Sequence, residues 1–268
     1  MLIASDGLPA IAVGRWAEDK HYYLERYCRM FAVGTKNKWP QRYYIDLFSG
    51  PGIGIDSETR RERPGSPLIA LAQQFTHFIF VEADPANFEA LKARTEPLLK
   101  GRHAKYILGD ANAVLQDIAP TVPQKGALSL IFADPYTIQL KMRTIQWLSG
   151  HLRVDWLIHF PYGTHLQRVL PQTQTEMTKD TQTALDEFFG GKDWRKLRAR
   201  RPNPRSYLDL YEGKLLELEY MIGDNYPRIT NSKNSTLYYL VLASKSELAL
   251  KLWKSVNEIG PEGQRTLF

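Results

Sequence analysis

The stretch Tyr-Tyr-Ile-Asp-Leu-Phe-Ser-Gly-Pro-Gly-Ile-Gly at residues 43–54 limits what this chain can become more than any other. Residues 44–48 are β-branched, aromatic or apolar around one acid, Asp46, which is the pattern of a short buried strand. The run then breaks at Gly50, Pro51, Gly52 and Gly54. Glycines let a backbone approach a ligand closely and take up positive φ. A glycine-rich turn at the carboxyl end of the first parallel strand is where doubly wound sheets bind nucleotide-like ligands. Phe48 stands where many such loops have their first glycine, and Ser49, Gly50 and Gly52 follow.

The rest of the chain repeats a strand–helix rhythm. Residues 1–14 are small, apolar and unpatterned, and read as a loose lead-in. Helical spacing over 15–33 brings Trp16, Tyr23, Tyr27, Met30 and Phe31 to one face. Residues 56–63 are charged and aperiodic, hence a loop. Ser66 suits an N-cap and Pro67 a first helical position, so a helix follows over 68–74. Strands are expected at 77–82, 105–108, 127–132 and 155–161, with helices at 87–99, 113–118 and 142–152 between them. Five strands alternating with helices imply a parallel sheet with right-handed crossovers. Residues 215–222 and 236–243 read as two further strands with only a turn-rich stretch, 223–235, between them, where no helix fits. They should form an antiparallel edge hairpin, closed by a helix over 247–259. Residues 163–213 fit no strand and read as a variable helical insert, with helices at 182–189 and 207–216. The expected fold is thus α/β and Rossmann-like: one domain over 1–268, with a seven-stranded, mostly parallel sheet ending in a hairpin. That layout belongs to class I methyltransferases rather than to nicotinamide-binding folds.

Composition supports this reading. The chain has 268 residues, 43% of them hydrophobic, enough for a substantial core. The net charge of +6 is compatible with an anionic partner. Cys28 is the only cysteine, which excludes internal disulfides and a cysteine-based metal site; it reads as a core thiol. His103, His151, His159 and His165 have no metal-ligand spacing, and His159 reads as a satisfied core residue. No apolar run reaches the ~18 residues of a membrane span. The N-terminus lacks a secretory pattern, so the expectation is a soluble, cytoplasmic protein.

Acids mark the strand ends at Asp46, Glu82, Asp110 and Asp134. Each has an expected task on S-adenosylmethionine. Asp46 and the Gly50–Gly52 backbone would hold the methionine end, and Phe48, Ser49 and Ser66 are further cofactor-binding candidates. Glu82, with Ala83 beside it, would accept both ribose hydroxyls. Asp110, Ala111 and Asn112 would meet the adenine edge, and Asp134 would face the methyl donor. Asp134-Pro135-Tyr136 is the chemically informative turn. An exocyclic amine is a poor nucleophile because its lone pair is delocalised into the base. The Asp134 carboxylate and the Pro135 carbonyl could bind its protons, and Tyr136 could stack on the base.

A second cluster is basic. Lys192, Arg195, Lys196, Arg198, Arg200, Arg201 and Arg205 lie in the insert, interleaved with Trp194 and Tyr207. Cations for phosphates plus aromatics for stacking are the pattern of a nucleic-acid surface. The plain alternative is a solvated helix face.

Several motifs together resemble the three-Cys-motif partner protein family. They are Trp16 to Lys20, Asp46 to Gly52, Gly65-Ser66-Pro67, Val81 to Pro85, Gly109 to Asn112, Asp134-Pro135-Tyr136, His159-Phe160-Pro161 and Leu237 to Lys245. The resemblance implies a methyltransferase-like fold and, as partner, a separate protein carrying three cysteines. Residues 64–70 and Asp134-Pro135-Tyr136 also resemble parts of the bacterial ribosomal RNA adenine-N6 methyltransferases. Those have Asp-Pro-Pro-Tyr, so one proline is missing here. That likeness favours adenine N6 as acceptor. Cytosine-C5 methyltransferases share the Asp-Leu-Phe-x-Gly-x-Gly loop but need a Pro-Cys nucleophile. Cys28 follows Tyr27 ahead of the first strand and cannot supply it. The alternative to catalysis on nucleic acid is a small-molecule-directed or non-catalytic partner protein of the same fold.

Overall fold

The alternation of strand and helix closes into one large mixed sheet, with a second, small sheet beside its glycine-rich turn. A computed structural model describes residues 2–171, 177–199, 203–224, 226–230 and 235–261. The chain starts with β1 (Leu2–Ile3), β2 (Pro9–Val13) and α1 (Trp16–Gly34). Then come β3 (Gln41–Asp46), β4 (Ile53–Asp56), β5 (Glu62–Pro64) and α2 (Ser66–Leu71). The central crossovers are β6 (His77–Glu82), α3 (Pro85–Thr95), β7 (His103–Leu108), α4 (Leu115–Ile118), β8 (Ala127–Ala133), α5 (Met142–His151) and β9 (Val154–Phe160). A π-helical turn (Tyr162–Leu166) leads into α6 (Gln167–Val169), α7 (Lys179–Phe189), α8 (Asp193–Ala199) and α9 (Pro204–Leu216). The last elements are β10 (Met221–Ile222), β11 (Arg228–Thr230), β12 (Thr236–Ser244) and α10 (Glu247–Asn257).

The large sheet runs β10-β12-β9-β8-β3-β6-β7, and β11 also pairs with β12. β3, β6, β7, β8 and β9 are parallel, and β12 is antiparallel to β9. This is the Rossmann-like order of class I methyltransferases. The large sheet has eight strands rather than seven, because β10 and β11 share the outer edge of β12. Alternation along the strands feeds two cores. Tyr43, Ile45, Ile131 and Trp156 pack to one face under α5, α7 and α9. Tyr44, Leu130, Phe132 and Leu157 pack to the other, under α1 and α10. Both faces are covered, which is why these strands read as continuous apolar runs.

Local chemistry sets the helix starts. The Asp84 carboxylate caps α3 by accepting from the Asn87 amide at 2.8 Å, with Pro85 in the first position. Thr178 and Asn203 cap α7 and α9 in the same way. Ser66 departs from expectation: the cap position of α2 is Gly65, and the Ser66 hydroxyl serves Asp46 instead.

Four further expectations are corrected. Residues 1–14 are not a loose lead-in; they carry β1 and β2, and β2 runs parallel to β4. Residues 56–63 are not all loop, since β4 and β5 flank a tight turn there. The strand expected over 215–222 is mostly helix. Leu208, Tyr211 and Leu215 recur at helical spacing and are fully buried, so α9 continues to Leu216 and only Met221–Ile222 joins the sheet. β11 lies in the stretch expected to be turn alone.

Candidate active site

The chain leaves β3, fills β6 and β7 on one side, then crosses back to β8 on the other. The reversal lies between β3 and β8, and ligands of such sheets bind at the carboxyl ends of the strands beside it. Asp46 ends β3 and Asp134 follows β8 at that point.

The loop after β3 depends on two glycines with positive φ, Gly50 at +61° and Gly52 at +85°. Other residues would be strained there. Asp46 is fully buried and shapes the loop from beneath. Its carboxylate accepts from the Tyr44 hydroxyl at 3.1 Å and from the Phe48 amide at 3.2 Å. Burial pushes its pKa up to about 7 against the pull of the Ser66 and Tyr44 hydroxyls. Ser49 is buried, its hydroxyl donating to the Asp46 carbonyl at 3.2 Å. Arg94, from α3, clamps the loop from outside. It donates to the Pro51 carbonyl at 2.6 Å, to the Pro9 carbonyl at 2.6 Å and to Asp6 at 2.7 Å. The Arg94 cation in turn holds Asp6 at a pKa of about 2. Arg94 carries no signal in the sequence, because its partners lie 43 to 88 residues away.

Glu82 ends β6 beside this loop, half-buried, and accepts from the Gly50 amide at 2.7 Å and the Asp84 amide at 2.8 Å. Ala83 next to it is exposed. Past β7, Asp110 accepts from the Asn112 backbone at 2.6 Å and from its side chain at 2.9 Å. Asn112 then spans to the loop after β8. Its oxygen accepts from the Lys141 amide at 3.0 Å and the Thr144 hydroxyl at 2.8 Å, and its nitrogen donates to the Gln139 carbonyl at 2.9 Å. Asp110 is exposed, whereas Ala111 is buried.

Asp134 is the electrostatic centre. Its side chain is 17% exposed. The Lys20 ammonium, brought by α1, forms an ion pair with one oxygen. His159 Nδ1, from β9, lies 2.9 Å from the other. The same Nδ1 lies 3.1 Å from the Pro135 carbonyl oxygen. Both neighbours are acceptors, so this nitrogen carries the proton. Burial alone would raise the Asp134 pKa, but Lys20 and His159 hold it well below the carboxylate range. His21 is kept neutral down to about pH 3 by burial and the neighbouring Lys20 charge. Tyr238 packs edge-on to His159 at 4.1 Å and donates to the Trp16 carbonyl at 3.2 Å, fixing the start of α1. Tyr136 is 88% exposed, two residues beyond Asp134. Past β9, Gly163 packs backbone to backbone on the start of β12: a Cβ there would stand 1.8 Å from the Thr236 carbonyl oxygen. His159 is buried as expected, yet it belongs to the site. Lys20 was visible only as the last residue of the Trp16 to Lys20 motif.

The structure brings together the strand-end acids and the glycine loop. It does not gather the basic cluster into one free surface. Trp194 and Tyr207 are buried core residues, not stacking platforms, and the Trp194 indole donates to Asp186 at 2.8 Å. Arg195 pairs with Asp186 at 2.7 Å, and Arg205 pairs with Asp209 at 2.6 Å and Glu212 at 3.2 Å. Arg198 donates to the Leu170 carbonyl at 2.8 Å. Lys192 and Lys196 are exposed. Arg200 and Arg201 lie outside the described residues.

No protein-family model and no curated protein matches this chain. Solved structures share its fold. Protein LPL1258 from Legionella pneumophila superposes with a TM-score of 0.50 at 14% identity, covering 90% of this chain and 91% of its own. Trm1 from Pyrococcus horikoshii, solved with S-adenosyl-L-methionine, gives 0.49 at 11% identity, over 96% of this chain and 62% of that one. The METTL16 methyltransferase domain gives 0.43 at 12% identity, over 81% and 65%. At these identities the likeness is one of fold. Among the described residues no group of His, Cys, Asp and Glu is placed to hold a metal, and no helix is long and apolar enough to cross a membrane.

Proposed function

We propose that this chain is an S-adenosylmethionine-dependent methyltransferase that acts on an exocyclic amine of nucleic acid, with adenine N6 the favoured acceptor. The observation that carries this reading is Asp134: a carboxylate at the reversal point of the sheet, kept ionised by Lys20 and His159, with exposed Tyr136 beside it. The donor set fits the cofactor. The positive-φ Gly50 and Gly52 present backbone without side chains on either side of Pro51, and Glu82 offers a half-buried acceptor at the loop's edge. Phe48, Ser49, Gly50, Gly52 and Glu82 would hold the cofactor, with Ala83, Asp110 and Ala111 flanking it. Asp46, Ser66 and Asn112 act through the loops they fix.

When bound, the cofactor supplies an electrophilic methyl group. The chain's own residues prepare the acceptor. Asp134 accepts an amine N–H, which turns the nitrogen lone pair away from the base. The Pro135 carbonyl already receives His159 on one lone pair and has a second available. Tyr136 offers a ring face to the base. Of the described residues of the basic cluster, the exposed Lys192 and Lys196 are the proposed phosphate contacts. A three-cysteine-motif protein is the partner that the family resemblance suggests.

The test is tritiated methyl incorporation from S-adenosylmethionine into cellular RNA and DNA, for wild type and Asp134→Asn. Incorporation lost in the mutant supports the reading. A wild type that binds the cofactor and methylates neither nucleic acid eliminates it.

A further inference from the structure

A cavity of about 620 Å³ opens at the opposite end of the sheet from Asp134. The end of α1, the start of α10 and the first residues of β8 and β9 enclose it. β9 is seven residues long, which puts roughly 20 Å between the two ends of the sheet. The cavity is within the ~300–1,000 Å³ range of small-molecule sites.

Its lining is divided by charge. Phe31, Leu128 and Leu252 give apolar walls. Trp39 is half-buried and carries two cations: the Arg153 guanidinium lies 4.8 Å from its ring centre and the Lys38 ammonium 5.7 Å. Lys245 adds a third cation, 3.6 Å from the exposed Glu219. Asp155 is the one carboxylate in the lining, and it is 5% exposed. Its partner is the Ser244 hydroxyl, at 2.5 Å from one oxygen. Burial pushes its pKa up to about 7 against that hydroxyl. Its other oxygen has no hydrogen bond among the described residues and is not sealed from the cavity, so it is open to a donor that enters there.

A simple amine would satisfy Asp155 but would meet three cations on entry. A simple anion would satisfy the cations and leave Asp155 unused. The lining calls for a molecule with neutral donors at one end, a flat body and an anion at the other. Guanine has two adjacent N–H donors on one edge, which match a carboxylate that only accepts. Adenine has a donor beside an acceptor on the same edge, and the acceptor would face the carboxylate.

We infer that this cavity is a second ligand site, fitted to a guanine nucleotide, with the base donating to Asp155 and the phosphate near Lys38 and Arg153. The inference is independent of methyl transfer, since it uses no residue of the Asp134 site.

Calorimetry on the full chain at pH 8, where Asp155 is ionised, tests it with GMP, AMP and inorganic phosphate as probes. GMP should bind roughly 10-fold or more tighter than AMP, the size of discrimination a two-hydrogen-bond base contact gives. Asp155→Asn should abolish that preference. Gly150→Phe fills the cavity from α5, where an added Cβ meets nothing within 4 Å. It should remove GMP binding while leaving the melting temperature unchanged. GMP binding no tighter than AMP or phosphate overturns the inference, as does GMP binding that survives Gly150→Phe. Should Asp155→Asn fail to fold, the Gly150→Phe comparison decides alone.

Discussion

The Lys20 ammonium and the Asp134 carboxylate form an ion pair across 114 residues of sequence. The pair ties the first helix to the fourth parallel strand of the large sheet at the point where the sheet reverses. Its effect is to keep Asp134 an anion in a site that excludes most water. Asp134→Asn keeps the size and removes the charge. Methyl transfer should fall ~100-fold, the scale of losing a positioned proton-handling group, while cofactor affinity stays within a few-fold. A mutant as active as wild type in the tritium assay would remove Asp134 from the mechanism.

Lys20→Met tests the pair from its other side. Without the cation, burial dominates and the Asp134 pKa rises. The proposed mechanism needs the ionised form, so the acid limb of the rate profile should move to higher pH. Rates between pH 5 and 9 check this. An unmoved limb means that His159 alone holds the charge.

Glu82 has one task in the fold and a second in the proposed function, the ribose contact. It accepts from the Gly50 amide on one oxygen and the Asp84 amide on the other and so shapes the glycine loop, and each oxygen has a further lone pair. Glu82→Ala should weaken S-adenosylmethionine binding by ~2–3 kcal/mol, the cost of losing a charged hydrogen-bonding group. Calorimetry reads the affinity and circular dichroism the fold. Wild-type affinity in a folded mutant would move the ribose contact elsewhere.

The parts of this site that the sequence showed are those set by local rules. The β3 and β6 strands end in acids, the loop glycines need positive φ, and the Asp84 cap lies three residues from its partner. What it hid are side chains that act over distance. Lys20 and Arg94 sit on ordinary helical positions, and only the fold brings them to Asp134 and Pro51. Trp194 and Tyr207 looked like stacking residues because their spacing among the cations was visible and their burial was not. α9 overran the expected strand because burial at helical spacing outweighed the apolar run beyond it.

Stability should depend on pH in a defined direction. Asp46 and Asp155 have folded-state pKa values near 7, raised first by burial. An unfolded aspartate titrates at ~3.9. Between those values the folded chain holds protons the unfolded chain has lost, so their contribution to stability falls as pH rises and levels off above 7. Asp46→Asn and Asp155→Asn should each gain on wild type by a few kcal/mol at pH 8 and by less at pH 5. Urea unfolding at both values measures it. The mutant-minus-wild-type difference isolates each carboxyl from His21, whose lowered pKa acts in the opposite direction. Equal differences at the two pH values would mean that both carboxyls ionise freely.

The basic insert offers the last test, and the structure divides its residues into two groups with different expected behaviour. Arg195 and Arg205 face carboxylates of their own chain, while Lys192 and Lys196 project outward. Lys196 is 83% exposed, and its pairing with Asp193 is a surface one that salt screens. Phosphate contacts release counterions, so each one adds to the slope of log affinity against log salt. For a single-stranded RNA oligonucleotide, Lys192→Ala with Lys196→Ala should flatten that slope by ~1–2, since each contact contributes a little under one. Arg195→Ala should leave the slope alone and lower the melting temperature, because Asp186 then loses a charged partner. A double lysine mutant with the wild-type slope would place the phosphate contacts outside the insert. An Arg195→Ala protein with a flattened slope and unchanged melting would show that its pairing with Asp186 opens to bind RNA.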